Sequence, residues 1–170
     1  MRTTSDYIGN ELLIFQKSIW KREFELCSGD EVIAKMYYPK FFSDLTELTM
    51  QNETYEFYRP RFFSRDVDIR KKGYQNPFAH FKNNFWAGKG VLELPRGVKL
   101  NIKIGFLRKQ AEIFLGESDL LLSILSRFSI NERCEVVIEK RSEIIDEFPW
   151  IIMFGFYLSQ LRKRNSAVGS

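Results

Sequence analysis

Two cysteines and one histidine are all the chain holds of the residue types on which most metal sites and nucleophilic centres depend. Cys27 and Cys134 stand 107 residues apart, too far to form a local metal knuckle or redox pair, and two thiols cannot make a disulfide scaffold. A lone His80 excludes any site that needs two histidines. Phosphate-cradling loops, dinucleotide fingerprints, zinc-protease helices and acid-rich calcium loops are missing as well. Long apolar runs are also lacking. The most apolar stretch, Phe148 to Leu158, is interrupted by Pro149 and Gly155 and closed by Arg162, Lys163 and Arg164, whereas a bilayer crossing needs about 20 residues. It reads as a buried helix, with a monotopic anchor as the alternative. Residues Met1 to Asn10 show no basic segment followed by an apolar one, so no signal peptide is expected, and scarce cysteine makes a cytoplasmic protein the default.

Aromatic side chains are what the chain has in excess. Sixteen Phe, seven Tyr and three Trp make up 15% of 170 residues, and 44% of residues are hydrophobic. A chain of this length fits one domain and buries about 68–70% of its unfolded surface without cross-links. From Glu11 to Lys140 the apolar pattern has a period of two. Glu23-Phe24-Glu25-Leu26, Asp66-Val67-Asp68-Ile69 and the run Val98 to Ile104 all alternate, as strands with one face toward a core do. Turn signals separate the runs: Ser28-Gly29-Asp30, Gln51-Asn52-Glu53, Lys72-Gly73, Pro95-Arg96-Gly97 and Gly116-Glu117-Ser118.

The strands repeat as a group. Trp20 to Leu26 matches Phe63 to Ile69, and more weakly Leu107 to Ile113, with a bulky residue, a base and two apolar residues spaced two apart on one face. The next runs correspond too: Val32 to Met36, Phe78 to Phe81, and Leu121 to Leu125. Phe41-Phe42, Phe85-Trp86 and Phe128 then each open a further strand. Three units of about four strands predict roughly twelve. Closure into a barrel removes the sheet edges.

Past the last strand the chain changes character. Asp146 is a candidate helix cap, with Pro149 in the first turn. Beyond it Trp150, Ile151, Ile152, Met153, Phe154, Phe156, Tyr157, Leu158 and Leu161 point nearly every way. A helix apolar all round is buried all round, and a barrel of more than eight strands has room for one. The predicted fold is therefore mainly β: an antiparallel closed barrel of about twelve strands, in three four-stranded repeats over residues 11–140. It surrounds a hydrophobic central helix at 146–163, and 165–170 form a frayed tail. Gly155 would admit a strand aromatic close to the helix.

This arrangement resembles the tubby C-terminal-like superfamily, which includes the LURP-one-related proteins and the phospholipid scramblases. The run Asn84 to Leu94 followed by Pro95-Arg96-Gly97, and Phe62-Phe63-Ser64-Arg65 followed by alternation, are similar to its small bacterial members. The likeness covers about residues 11–163. It implies a single cytoplasmic barrel plugged by a helix, in a family whose best-known members engage membranes or phosphoinositide headgroups. No headgroup motif of that family maps onto particular positions here.

Charge is unevenly spread. Residues 1–58 carry 6 basic and 10 acidic side chains, 59–109 carry 13 and 3, and 110–170 carry 7 and 9, which sum to the net +4. The middle repeat is expected to present a basic face that draws anionic lipid headgroups or an acidic protein. The alternative is a merely solubilising surface. Arg61, Arg65, Arg70, Lys71, Lys72, Lys89, Lys103 and Arg108 are the candidate contacts, with Lys71-Lys72 beside Gly73 the most exposed. Arg22, Arg65 and Lys109 share parity with inward residues and are expected at the barrel rim. No catalytic residue, cofactor or metal is predicted. His80 reads as a partnered structural histidine, Asp66 and Asp68 as outward acids, and Gly88-Lys89-Gly90 as a bend making room for Trp86. The leading expectation is a non-enzymatic module that associates peripherally with membranes. A lipocalin-like small-molecule barrel or enzyme, and a nucleic-acid-binding module, are the alternatives.

Overall fold

A computed structural model describes residues 2–18, 20–39, 45–61, 64–84, 88–105, 107–127 and 132–168. Twelve strands follow the alternating runs: β1 (Leu12–Ser18), β2 (Glu23–Ser28), β3 (Glu31–Tyr37), β4 (Thr46–Met50), β5 (Glu53–Tyr58) and β6 (Val67–Lys71). Then come β7 (Ala79–Asn84), β8 (Lys89–Glu93), β9 (Lys99–Ile104), β10 (Lys109–Leu115), β11 (Asp119–Arg127) and β12 (Arg133–Ile138). Every strand pairs antiparallel with its sequence neighbours, and β1 closes on β12 with Leu12 opposite Val136 and Phe15 opposite Arg133. The predicted twelve-stranded closed barrel is thus present. The repeated segments fall on β2, β6 and β10, four strands apart.

A short helix α1 (Glu143–Glu147) leads to α2 (Ile151–Val168), whose residues Ile151 to Ser159 are all buried. Aromatic excess is spent here. Phe154 sits 5.1 Å from Phe57 and 5.6 Å from Phe81 between ring centroids, Trp150 packs on Tyr55, Phe57 and Phe78, and Phe24 meets Phe156 at 5.0 Å. These edge-on and tilted geometries suit ring quadrupoles. The helix begins and ends later than the sequence suggests. Asp146 is not its cap: its carboxylate accepts the backbone N–H and hydroxyl of Ser5 at 2.6 and 2.7 Å, tying α1 to the N-terminal 3-10 turn Thr4–Tyr7. Pro149 lies in the break between the helices. The helix also runs through the expected tail, because Asn165, Ser166 and Ala167 do not interrupt it and the Ser166 hydroxyl bonds back to the Arg162 carbonyl at 2.9 Å.

Glycines mark close approaches at Gly155, Gly90 and Gly88. A Cβ on Gly155 would lie 3.1 Å from Ile124 and 3.3 Å from Ile113, so α2 nears aliphatic residues of β11 and β10, not an aromatic. A Cβ on Gly90 would run into the Phe81 ring of β7, while Gly88, at φ +59°, lies against the Arg162 guanidinium. The Gly88–Gly90 bend therefore makes room for Phe81 and Arg162. Trp86, like Phe41, Phe42, Phe62, Phe63, Phe85 and Phe128, lies outside the described residues.

Candidate functional site: the arginine-lined mouth of the barrel

The α2 axis gives the barrel two unlike ends. Trp150 enters at the end formed by the β2–β3, β4–β5 and β6–β7 turns, and Arg162 to Arg164 emerge at the other, which we term the mouth. Arg162 donates to the Ile104 carbonyl at the end of β9, and Lys163 bonds Glu132 at 2.6 Å ahead of β12. Arg164 lies 6.0 Å from the Tyr38 ring centroid, and Arg22 stacks on the same ring at 4.6 Å. Cations suit this position because the last helical carbonyls carry the negative end of the macrodipole. Burial lowers the Arg162 pKa from its ordinary value, yet an arginine keeps its charge in a protein.

Arg59 and Arg65, flanking the connection between β5 and β6, converge with Arg162, Asn83 and Asn165 on a cleft of about 30 Å³ floored by Leu158 and Leu161. That volume holds a group the size of a water or one phosphate oxygen, far below the roughly 300–1,000 Å³ of small-molecule pockets. An anion would therefore rest on the mouth and not sink into it. A larger groove, about 420 Å³, opens at the opposite end between Arg2, Tyr7, Glu31, Ile33, Met50 and Ile152.

The eight sequence candidates separate into two groups. Arg70, Lys71 and Lys72 belong to the wall and the far end, where acids from β4 and β5 meet them. Arg70 bonds Glu56 at 2.6 Å, Lys71 bonds Glu53 at 3.2 Å and Lys72 bonds Glu47 at 2.9 Å. Each base's pKa rises through that hydrogen bond. Burial pushes the Glu47 pKa up, but hydrogen bonds from Tyr37 and Lys72 outweigh it and leave it lowered. The acidic first segment and the basic middle one are therefore complementary across the β5–β6 seam. Lys71-Lys72, exposed as expected, is not an uncompensated cluster. Elsewhere on the wall Lys82 and Lys99 share Glu93 at 3.2 and 3.7 Å.

Arg61, Arg65, Lys89, Lys103 and Arg108 lie toward the mouth instead. Lys89 opens β8 directly opposite Lys103 of β9, and Lys103 sits 4.6 Å from the Phe114 ring centroid. Of the repeated bases, Arg22 and Arg65 are at the rim as predicted, while Lys109 points outward to Glu112 at 3.4 Å. Sequence reasoning missed Arg162 as a partner of this group, since it lies more than 50 residues beyond the basic segment. The apolar stripe that buries Leu158 and Leu161 is the signal that places it at the mouth.

The remaining chemistry-bearing residues are quiet. His80 Nδ1 lies 2.7 Å from the Asp68 carboxylate on the outer wall, and Asp66 accepts the Asn83 N–H at 3.0 Å. Burial pushes the Cys134 thiol up to about 12 and raises Cys27 as well, which leaves both as thiols at neutral pH. Among the described residues no group of three or more His, Cys, Asp or Glu is placed to hold a metal, and no helix is long and apolar enough to cross a membrane.

Geometry of this kind, a closed antiparallel barrel wound around its own C-terminal helix, defines the structural class. The fold is shared with an X-ray structure of a protein from Arabidopsis thaliana, AT5G01750, with a TM-score of 0.55, 14% sequence identity, and coverage of 84% of this chain and 88% of that one. No family model and no curated protein matches the chain.

Proposed function

We propose that the chain is a non-enzymatic, tubby-like barrel domain that associates peripherally with anionic membrane lipids through its mouth. The observation that carries this reading is the convergence of Arg59, Arg65 and Arg162 at one end, with Arg61, Lys89 and Arg108 toward the same end. On the wall, Arg70, Lys71 and Lys72 form ion pairs with acids of β4 and β5. The shared barrel-and-helix fold supports the tubby-like assignment. A cationic end facing an anionic leaflet gains about 1 kcal/mol per well-placed base. The cytoplasmic leaflet has the required charge.

Co-sedimentation with vesicles, with and without phosphatidylserine, tests the proposal. Binding should require the anionic lipid and fall as salt rises. Absence of binding to anionic vesicles at low salt ends the lipid reading. A small-molecule barrel of lipocalin type would have to use the groove near Arg2 and Ile152, because α2 fills the bore.

A further inference from the structure

Among the described residues, two large apolar side chains stand almost wholly in water. Trp20 is 95% exposed and Leu107 is 84% exposed, well above the other exposed apolar residues of the wall. Trp20 belongs to the connection between β1 and β2, and Leu107 to that between β9 and β10. Both connections are at the mouth. Each residue is followed directly by bases, Lys21-Arg22 after Trp20 and Arg108-Lys109 after Leu107. Alternation predicted both to face inward with Phe24 and Ile113. Arg22, at φ +47°, turns the chain and breaks the parity, so Trp20 is delivered to solvent instead of the bore.

We propose that Trp20 and Leu107 insert into the interfacial layer of an anionic bilayer and so hold the barrel mouth-down, α2 roughly along the membrane normal. This rests on the membrane reading above and adds its orientation and its apolar anchors. Around the barrel the order runs β2, β1, β12, β11, β10, β9, which separates the two connections by about four strand spacings, or roughly 19 Å of rim. Trp20 and Leu107, a third of the rim apart and each followed directly by bases, match a headgroup layer, in which apolar side chains enter between phosphates. Tryptophan is the side chain most at home there. Tyr74, 67% exposed, lies in the β6–β7 connection at the opposite end and takes no part.

The test compares wild type with Trp20→Ala, Leu107→Ala and Tyr74→Ala on vesicles of phosphatidylcholine and phosphatidylserine whose acyl chains are brominated. Co-sedimentation is measured alongside tryptophan quenching. All three sites are exposed, so thermal melts of the variants should overlay wild type. Wild-type emission should be quenched on binding, and Trp20→Ala should sharply reduce that quenching. Trp20→Ala and Leu107→Ala should each bind about tenfold more weakly, with Tyr74→Ala unchanged. Salt-sensitive binding without quenching, equal in all four proteins, would overturn the insertion and leave the electrostatic reading standing. No binding of wild type to these vesicles would overturn both.

Discussion

Replacing Phe154 by alanine should remove a large share of the protein's stability. The side chain is fully buried in the first turn of α2 and touches the ring faces or edges of Phe57, Phe81, Trp150 and Tyr157, with centroids 5.1 to 5.9 Å away. Residues from β5, β7 and the helix itself surround it, so collapse into the void is resisted on several sides. Phe→Ala changes in such settings cost about 3–5 kcal/mol. Domains commonly have about 5–15 kcal/mol in total. For a chain of this length that corresponds to a melting temperature lower by roughly 6–20 °C. Urea unfolding followed by the fluorescence of Trp150, which the ring abuts, measures it. With m near 2 kcal/mol/M the midpoint should drop by about 1.5–2.5 M. Trp20→Ala, its exposed counterpart, should stay within about 0.5 kcal/mol. A Phe154→Ala cost below about 1 kcal/mol would refute the helix as the packing centre of the barrel.

Acid should loosen the wall in a defined direction. Burial raises the pKa of Glu25, but its hydrogen bonds to Lys17 and Lys35 outweigh this and leave it lowered from 4.5. A carboxylate lowered in the folded state stabilises above its unfolded pKa, and that contribution is lost as pH falls through the folded one. Melting temperature should therefore decline below about pH 4.5, and Glu25→Gln should flatten that decline. An unchanged slope in the variant would remove Glu25 from the account. Cys27 and Cys134, 7% and 1% exposed, should resist a thiol reagent in the native protein and react on unfolding. Fast labelling of Cys134 without denaturant would contradict its enclosed position.

The barrel was legible because its signal is local and repeated. Period two in β2, β6 and β10, and a helix apolar in every direction, leave few other solutions. The helix ends were less legible, since Asp146 has the chemistry of a cap but is used by Ser5, 141 residues away in sequence. Charge was the hardest to read. Glu47 and Glu53 precede Lys72 and Lys71 by 25 and 18 residues and meet them only once strands pair. Counting charge along the chain therefore could not tell which bases the paired strands would match with acids. The exposure of Trp20 was hidden for a related reason. Parity was carried through Arg22, and a single residue of positive φ is enough to reverse it.

The proposed membrane contact is made by the mouth, not the wall. It is tested most directly by two variants with equal loss of charge, Arg61→Gln/Arg65→Gln/Arg108→Gln at the mouth and Lys71→Gln/Lys82→Gln/Lys99→Gln on the wall. Their affinity for vesicles of about 30% phosphatidylserine is compared at low salt. At about 1 kcal/mol per base the mouth variant should bind on the order of a hundredfold more weakly, while the wall variant keeps nearly all of the wild-type affinity. Equal losses in the two, or a larger loss from the wall, would rule out the mouth as the membrane-facing end.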